Sequence, residues 1–246
     1  MVAVTRVAAA FRSGATELRR TPLLLGLLVV APAYVIYLFT AVAPDGPAVV
    51  HVSGESVRTT LPAAFPAFTT PMTAALLSGI AGLFLVGTAT RADARLVVAG
   101  YRPGEVVLAR LGLLVGVAAV ATAVSVGVML TAFDPERIAL FVLGTGLTAL
   151  VYGAVGVVAG LVLDRIAGVY LVLFGSMVDL FVFQNPLATD THALARWLPG
   201  HYPLRVAMDA GFAGTVDPLD VALSLAVLGV LGAVATAAFY REVRLS

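Results

Sequence analysis

Charges and prolines punctuate the chain into long apolar runs, and those runs predict six membrane-spanning helices near residues 22–43, 71–90, 106–132, 137–163, 166–183 and 218–240. Each is close to the ~20 apolar residues that a helix rising ~1.5 Å per residue needs to cross ~30 Å of hydrocarbon. Pro22 suits the first position of the first span, and Pro44 follows its end; Pro71 is expected to open the second, with Thr69 and Thr70 able to cap it. Ahead of these runs the period changes. Within residues 1–21, Val4, Val7, Ala8, Phe11, Ala15 and Leu18 share one helical face and Arg6, Ser13, Thr16, Glu17 and Arg20 the other. That pattern predicts an amphipathic helix lying in the membrane interface. Ala41-Val42-Ala43 mimics a signal cleavage site, but the apolar run before it is too long for a signal peptide, so it reads as a retained anchor.

Composition agrees with the pattern. Hydrophobic residues make up 60% of the 246 positions and charged residues 12%, with a mean hydropathy of +1.02, more apolar surface than a soluble core of this size buries. Arginine supplies all 15 basic residues against 14 acids, a balance without the excess that nucleic-acid binding needs. Their placement is informative. With the N-terminus in the cytoplasm, 11 arginines (6, 12, 19, 20, 91, 95, 102, 110, 165, 241 and 244) fall inside and four (58, 137, 196 and 205) outside. This satisfies the positive-inside rule for six spans with both termini cytoplasmic. The chain has no cysteine, which excludes disulfides, thiolate catalysis and Cys-ligated metals, and no lysine. A Walker A loop needs its lysine to reach the phosphates, so ATP hydrolysis, if used, belongs to another polypeptide.

Two segments on the outer side exceed simple turns. Residues 44–70, proline-rich with Asp45, His51, Glu55 and Arg58, read as an ordered or partly ordered loop. In residues 184–217, Asp190 or Thr191 suits the cap of a short helix through Trp197, and Pro203 the start of another through about Gly211, with Trp197 and Tyr202 placed for a headgroup boundary. Asp179 is the one ionisable residue deep within an expected span, which marks it as a candidate for the translocation path; the alternatives are a bond to Ser176 or a reach to the outer interface. Gly112 with Gly116, and Gly153, Gly156 and Gly160, have helix-packing spacing. His51, His192 and His201 are scattered and lack a carboxylate cluster, so no metal or other cofactor is expected. Ser176 lacks a basic partner for nucleophilic chemistry.

The break RADARLVVAGYRPGEVVLARL, residues 91–111, places four arginines and two acids in a cytoplasmic connection, more than anchoring needs. Residues 91–99 suit a short helix stopped by Gly100, with Arg102-Pro103-Gly104 turning the chain before Glu105 opens the third span. The ELRRTP end of the amphipathic segment, Pro32 within the first span, GYRPGEVVLAR after a short cytoplasmic helix, and LPGHYPLRVAMDAG before the last span together resemble the type-2 ATP-binding-cassette (ABC) transporter permease family. The resemblance implies an all-α integral membrane permease, with residues 91–104 as a coupling segment docked on a separate ATP-binding subunit. It implies that Arg91, Arg95, Leu96, Arg102 and Glu105 couple to the ATPase. Residues 184–217 would hold re-entrant helices of an outer gate, with Asp179, Trp197 and Tyr202 at the path. It further implies a second permease copy or homologue, a lipid environment in a prokaryotic cell membrane, and export of lipids, polysaccharides, drugs or ions. The chain would then be no enzyme by itself. The competing readings are an ATP-independent secondary transporter, which needs ion-coupling acids within the spans, and a membrane enzyme, which needs a catalytic constellation.

Overall fold

The computed structural model describes residues 12, 16, 22–52, 54–87, 103–188 and 193–245. It is about 78% helical. In chain order the elements are α1 (Pro22–Val42), a hairpin of β1 (Pro47–Val52) and β2 (Glu55–Thr60), α2 (Leu61–Gly87), α3 (Pro103–Met129), α4 (Ile138–Val162), α5 (Arg165–Met177) continued by a π-helical turn (Val178–Phe183), a 3₁₀ turn (Ala195–Trp197), α6 (His201–Phe212) and α7 (Pro218–Leu245). Among the described residues, five helical stretches are long and apolar enough to cross a membrane: Leu61–Leu85, Leu108–Met129, Ile138–Val162, Arg165–Phe183 and Pro218–Ala238. The protein is therefore a multi-pass membrane protein. The α1 helix stands where the first span is expected and is apolar over Gly26–Val42.

Two expectations are corrected. The second span starts at Leu61, ten residues before Pro71, and carries Pro66 and Pro71 inside it. Each proline removes a helical donor, yet the hydroxyls of Thr69, Thr70 and Thr73 donate to the carbonyls of Phe65, Pro66 and Thr69 at 2.8, 2.7 and 2.7 Å. These threonines thus serve the helix interior instead of capping its start. Residues 47–60 form an antiparallel hairpin in register Val52↔Glu55 to Pro47↔Thr60. Gly54, at φ 81°, supplies the left-handed turn conformation that glycine tolerates. In β1 the buried residues alternate, with Ala48, Val50 and Val52 inward, and Val50 and Val52 pack on Phe68, Met72, Tyr152, Leu180, Leu204 and Met208. The hairpin so closes one end of the helical bundle.

The bundle is built around α2 and α4. Lipid is as apolar as a leucine side chain, so helices in it associate through close packing instead of hydrophobic burial. A β-carbon on Gly156 would stand 1.9 Å from the Gly79 carbonyl oxygen, one on Gly82 2.2 Å from that of Gly153, and one on Gly160 2.9 Å from that of Leu83. The expected glycine face of α4 therefore packs, and Gly79 and Gly82 of α2 are its partners. By contrast, a β-carbon on Gly116 meets nothing within 4 Å, so that glycine makes no close contact inside the described chain. The α5 start is set locally: Asp164 Oδ1 accepts from the backbone N–H of Ile166 and Ala167 at 2.9 and 3.0 Å.

Gly156→Ala forces the α2 and α4 backbones apart and is expected to lose about 1–3 kcal/mol, the usual range for overpacking. Gly116→Ala should be neutral or mildly stabilising, since it adds a helix-favouring methyl in open space. Thermal unfolding of the two variants in detergent measures this; equal melting points would refute the α2–α4 contact.

Candidate functional site

The site is centred on the π-helical turn that ends α5. There the Gln184 N–H donates to the Asp179 carbonyl at 3.0 Å, a spacing of five residues. In an α-helix residues five apart diverge by about 140° at ~100° each. The wider turn lets Gln184 Nε2 reach Asp179 Oδ1 at 3.2 Å. Such single-turn bulges concentrate at functional sites.

Asp179 is 4% exposed. Besides the Gln184 amide it accepts from the Tyr152 hydroxyl of α4 and from the backbone N–H of Gly200, the latter at 2.9 Å. Gly200 is required here: a β-carbon on it would stand 2.9 Å from both Asp179 Oδ2 and the Tyr152 hydroxyl and 2.5 Å from Leu180. Three donors from three elements thus hold a carboxyl that would otherwise be costly to bury. Of the expected alternatives for Asp179, the bond to Ser176 is displaced, since Ser176 bonds instead to the Val172 carbonyl.

The hydrogen bonds continue. Gln184 Nε2 spends its second proton on the Ala195 carbonyl at 2.8 Å, so Gln184 Oε1 is the acceptor for His201 Nδ1 at 2.9 Å. This fixes the neutral tautomer with hydrogen on Nδ1 and leaves Nε2 as acceptor. Burial, and secondarily the Arg205 guanidinium, lower the His201 pKa from the usual 6.5 to about 4. His201 and Gln184 line a cavity of about 340 Å³ between the hairpin and α6, whose wall also includes His51, Asn185 and Arg205. Arg205 is tied to Asp220 of α7 at 3.3 Å.

The residues singled out in the sequence divide into three groups. Asp179 lies at the centre of the network, with Tyr202 one residue beyond His201; neither Tyr202 nor Trp197 lines the cavity. Trp197 is 79% exposed, with the Arg196 guanidinium 6.0 Å from its ring centre. Glu105 is buried in the first turn of α3, which begins at Pro103, two residues earlier than expected. Arg91, Arg95, Leu96 and Arg102 lie outside the described residues, as do residues 1–11, Asp190 and Thr191. Tyr152, Gln184, Gly200 and His201 were not legible as a set, because their hydrogen bonds join residues up to 27 positions apart. A tyrosine in the middle of a lipid-crossing run was the available signal.

A second polar feature lies inside the bundle. The hydroxyls of Ser78 on α2, Thr122 and Ser125 on α3 and Thr145 on α4 are buried and have no hydrogen-bond partner among the described residues. An unmade bond at a buried hydroxyl costs about 1–3 kcal/mol. Among the described residues no group of three or more His, Cys, Asp or Glu side chains is placed to hold a metal ion.

Asp179→Ala strands the Tyr152 hydroxyl and the Gly200 N–H, and is expected to lower stability by about 2–5 kcal/mol. Tyr152→Phe removes one of three donors and should cost only about 1 kcal/mol; the order is checked by thermal unfolding in one detergent, and a reversed order would count against the network. Because the folded-state pKa of His201 is lowered, the unfolded chain binds the extra proton between pH 6.5 and about 4. Stability should fall as the pH is lowered through that window, and His201→Gln should flatten the fall; an unchanged profile would mean that His201 is not held neutral. No family model matches the chain, and no curated protein matches it.

Proposed function

We propose that the chain is the membrane-spanning permease subunit of an ATP-driven exporter of the type-2 ABC kind, with six spans and both termini in the cytoplasm. On this reading α1 is the first span, residues 91–104 dock on a separate ATP-binding subunit, and α6 with the preceding 3₁₀ turn is a re-entrant outer gate. The observation that carries a transport role is the set of four buried hydroxyls on α2, α3 and α4. Groups unsatisfied while the helices are closed gain partners when the helices part and water or solute enters, which favours a bundle with a second, open state. The geometry of α6 supports the gate. Its 12 residues rise ~18 Å, too short to cross, yet most of them are buried against α4 and α7. An ATP source outside the chain is needed because the sequence holds no lysine for a Walker A loop. Two permeases with two ATPases would then alternate access as ATP binding closes the cassettes.

One observation favours a second reading, an ATP-independent carrier: Asp179, held by Tyr152 and Gln184, is the kind of intramembrane acid that couples to ions. Purification in mild detergent separates the two. The exporter reading expects a stoichiometric partner carrying a Walker A motif, and expects Arg95→Ala with Arg102→Ala to cut both its retention and transport at least fivefold while membrane insertion is unchanged. Transport that survives in the double variant and collapses with the proton gradient would support the carrier instead.

A further inference from the structure

The cavity beneath the hairpin carries hydrogen-bond donors in its wall, on Arg205 and Asn185. Arg205 and His201 stand one helical turn apart on α6, so they share a face. Asn185 joins them from just beyond the π-helical turn, and His51 from β1. Arg205 is held in place by Asp220, which is 3% exposed, through one guanidinium nitrogen at 3.3 Å. A guanidinium carries five N–H donors in a fixed fork, so the others stay available once the side chain is positioned. Asn185 Oδ1 accepts from the Leu187 N–H at 3.0 Å, which fixes the amide with Nδ2 as donor. The His51 ring is placed by a contact of 3.1 Å between its Nδ1 and Ser56 Oγ, and the β1 edge by a 2.8 Å bond from the His51 N–H to the Pro186 carbonyl. Asp209 also borders the cavity, but at 1% exposed it offers almost no surface there. Among the described residues, the donors that this wall offers are therefore the Arg205 guanidinium and the Asn185 amide, while His201 is neutral with Nε2 as an acceptor.

We infer that this cavity is a binding site for an oxyanion, either a free phosphate-type ion or the phosphodiester of a lipid headgroup, received by the Arg205 guanidinium and the Asn185 amide. Planar N–H forks suit such oxygens, and a volume of about 340 Å³ accommodates a phosphate group with its immediate substituents. The inference stands apart from the exporter reading, because binding is read on the isolated chain without ATP or a partner.

The test is thermal unfolding of the purified full-length protein in neutral detergent, titrated with inorganic phosphate against chloride at equal ionic strength, and in parallel with phosphatidylglycerol against phosphatidylcholine in mixed micelles. Stabilisation by phosphate identifies a free oxyanion; stabilisation by phosphatidylglycerol alone identifies the headgroup as its source. Asn185→Asp keeps the carboxyl oxygen that caps the Leu187 N–H but replaces the donor by an acceptor. It should leave the melting point without ligand near that of the parent and weaken apparent affinity at least tenfold. Arg205→Lys, which keeps the charge beside Asp220 and loses the fork, should weaken it at least threefold. Absence of stabilisation by both probes overturns the inference, as does binding that Asn185→Asp leaves unchanged.

Discussion

Gly79 and Gly156 bring the backbones of α2 and α4 together with no room for a single methyl between them, and the placement of the polar groups follows from that contact. With the two helices in backbone contact, Tyr152 is buried against Phe68 and Met72 of α2 instead of facing lipid. Its hydroxyl then has one satisfying partner within reach, the carboxyl of Asp179. Asp179 in turn receives the Gly200 N–H, and so holds the start of α6. A second close approach, where a β-carbon on Gly144 would stand 2.4 Å from the Ala207 amide nitrogen, seats α6 along α4. Helix packing by small residues and polar satisfaction are thus one arrangement, in which each requires the other.

The bundle treats its polar groups in two ways. Around Asp179 every donor has an acceptor, which suits a part that stays fixed, and the hydrogen bonds run on through Gln184 to His201 and the cavity. Within α2, α3 and α4 the hydroxyls of Ser78, Thr122, Ser125 and Thr145 lack partners among the described residues.

Much of this architecture was legible in the sequence, because charges and prolines punctuate apolar runs wherever water is absent. The helices α1, α4, α5 and α7 start within a residue of their expected positions. The reading failed where one signal had two meanings. Pro71 suits a helix start, but the helix runs through it, and Pro62, second in α2, marks the beginning. The hairpin was hidden because Ala48, Val50 and Val52 alternate for only six residues, though Ser53-Gly54 offered a turn. Asp179 stood out by its cost in lipid, while Tyr152, Gln184 and His201 did not, since only the fold brings them to it. Gly112 and Gly116 show the limit of spacing alone: the motif matched that of α4, yet Gly116 faces open space.

The proposed topology puts the charged segment at residues 91–102 and the hairpin on opposite sides of a membrane. Single-cysteine labelling tests it directly, since the chain has no native cysteine to remove. Ser56→Cys on the hairpin and Ala94→Cys in the charged segment are compared in intact cells with a membrane-impermeant maleimide, before and after the membrane is opened. The account predicts that Cys at position 56 labels in intact cells and Cys at position 94 only after opening. Labelling of both in intact cells, or of position 94 alone, would contradict it.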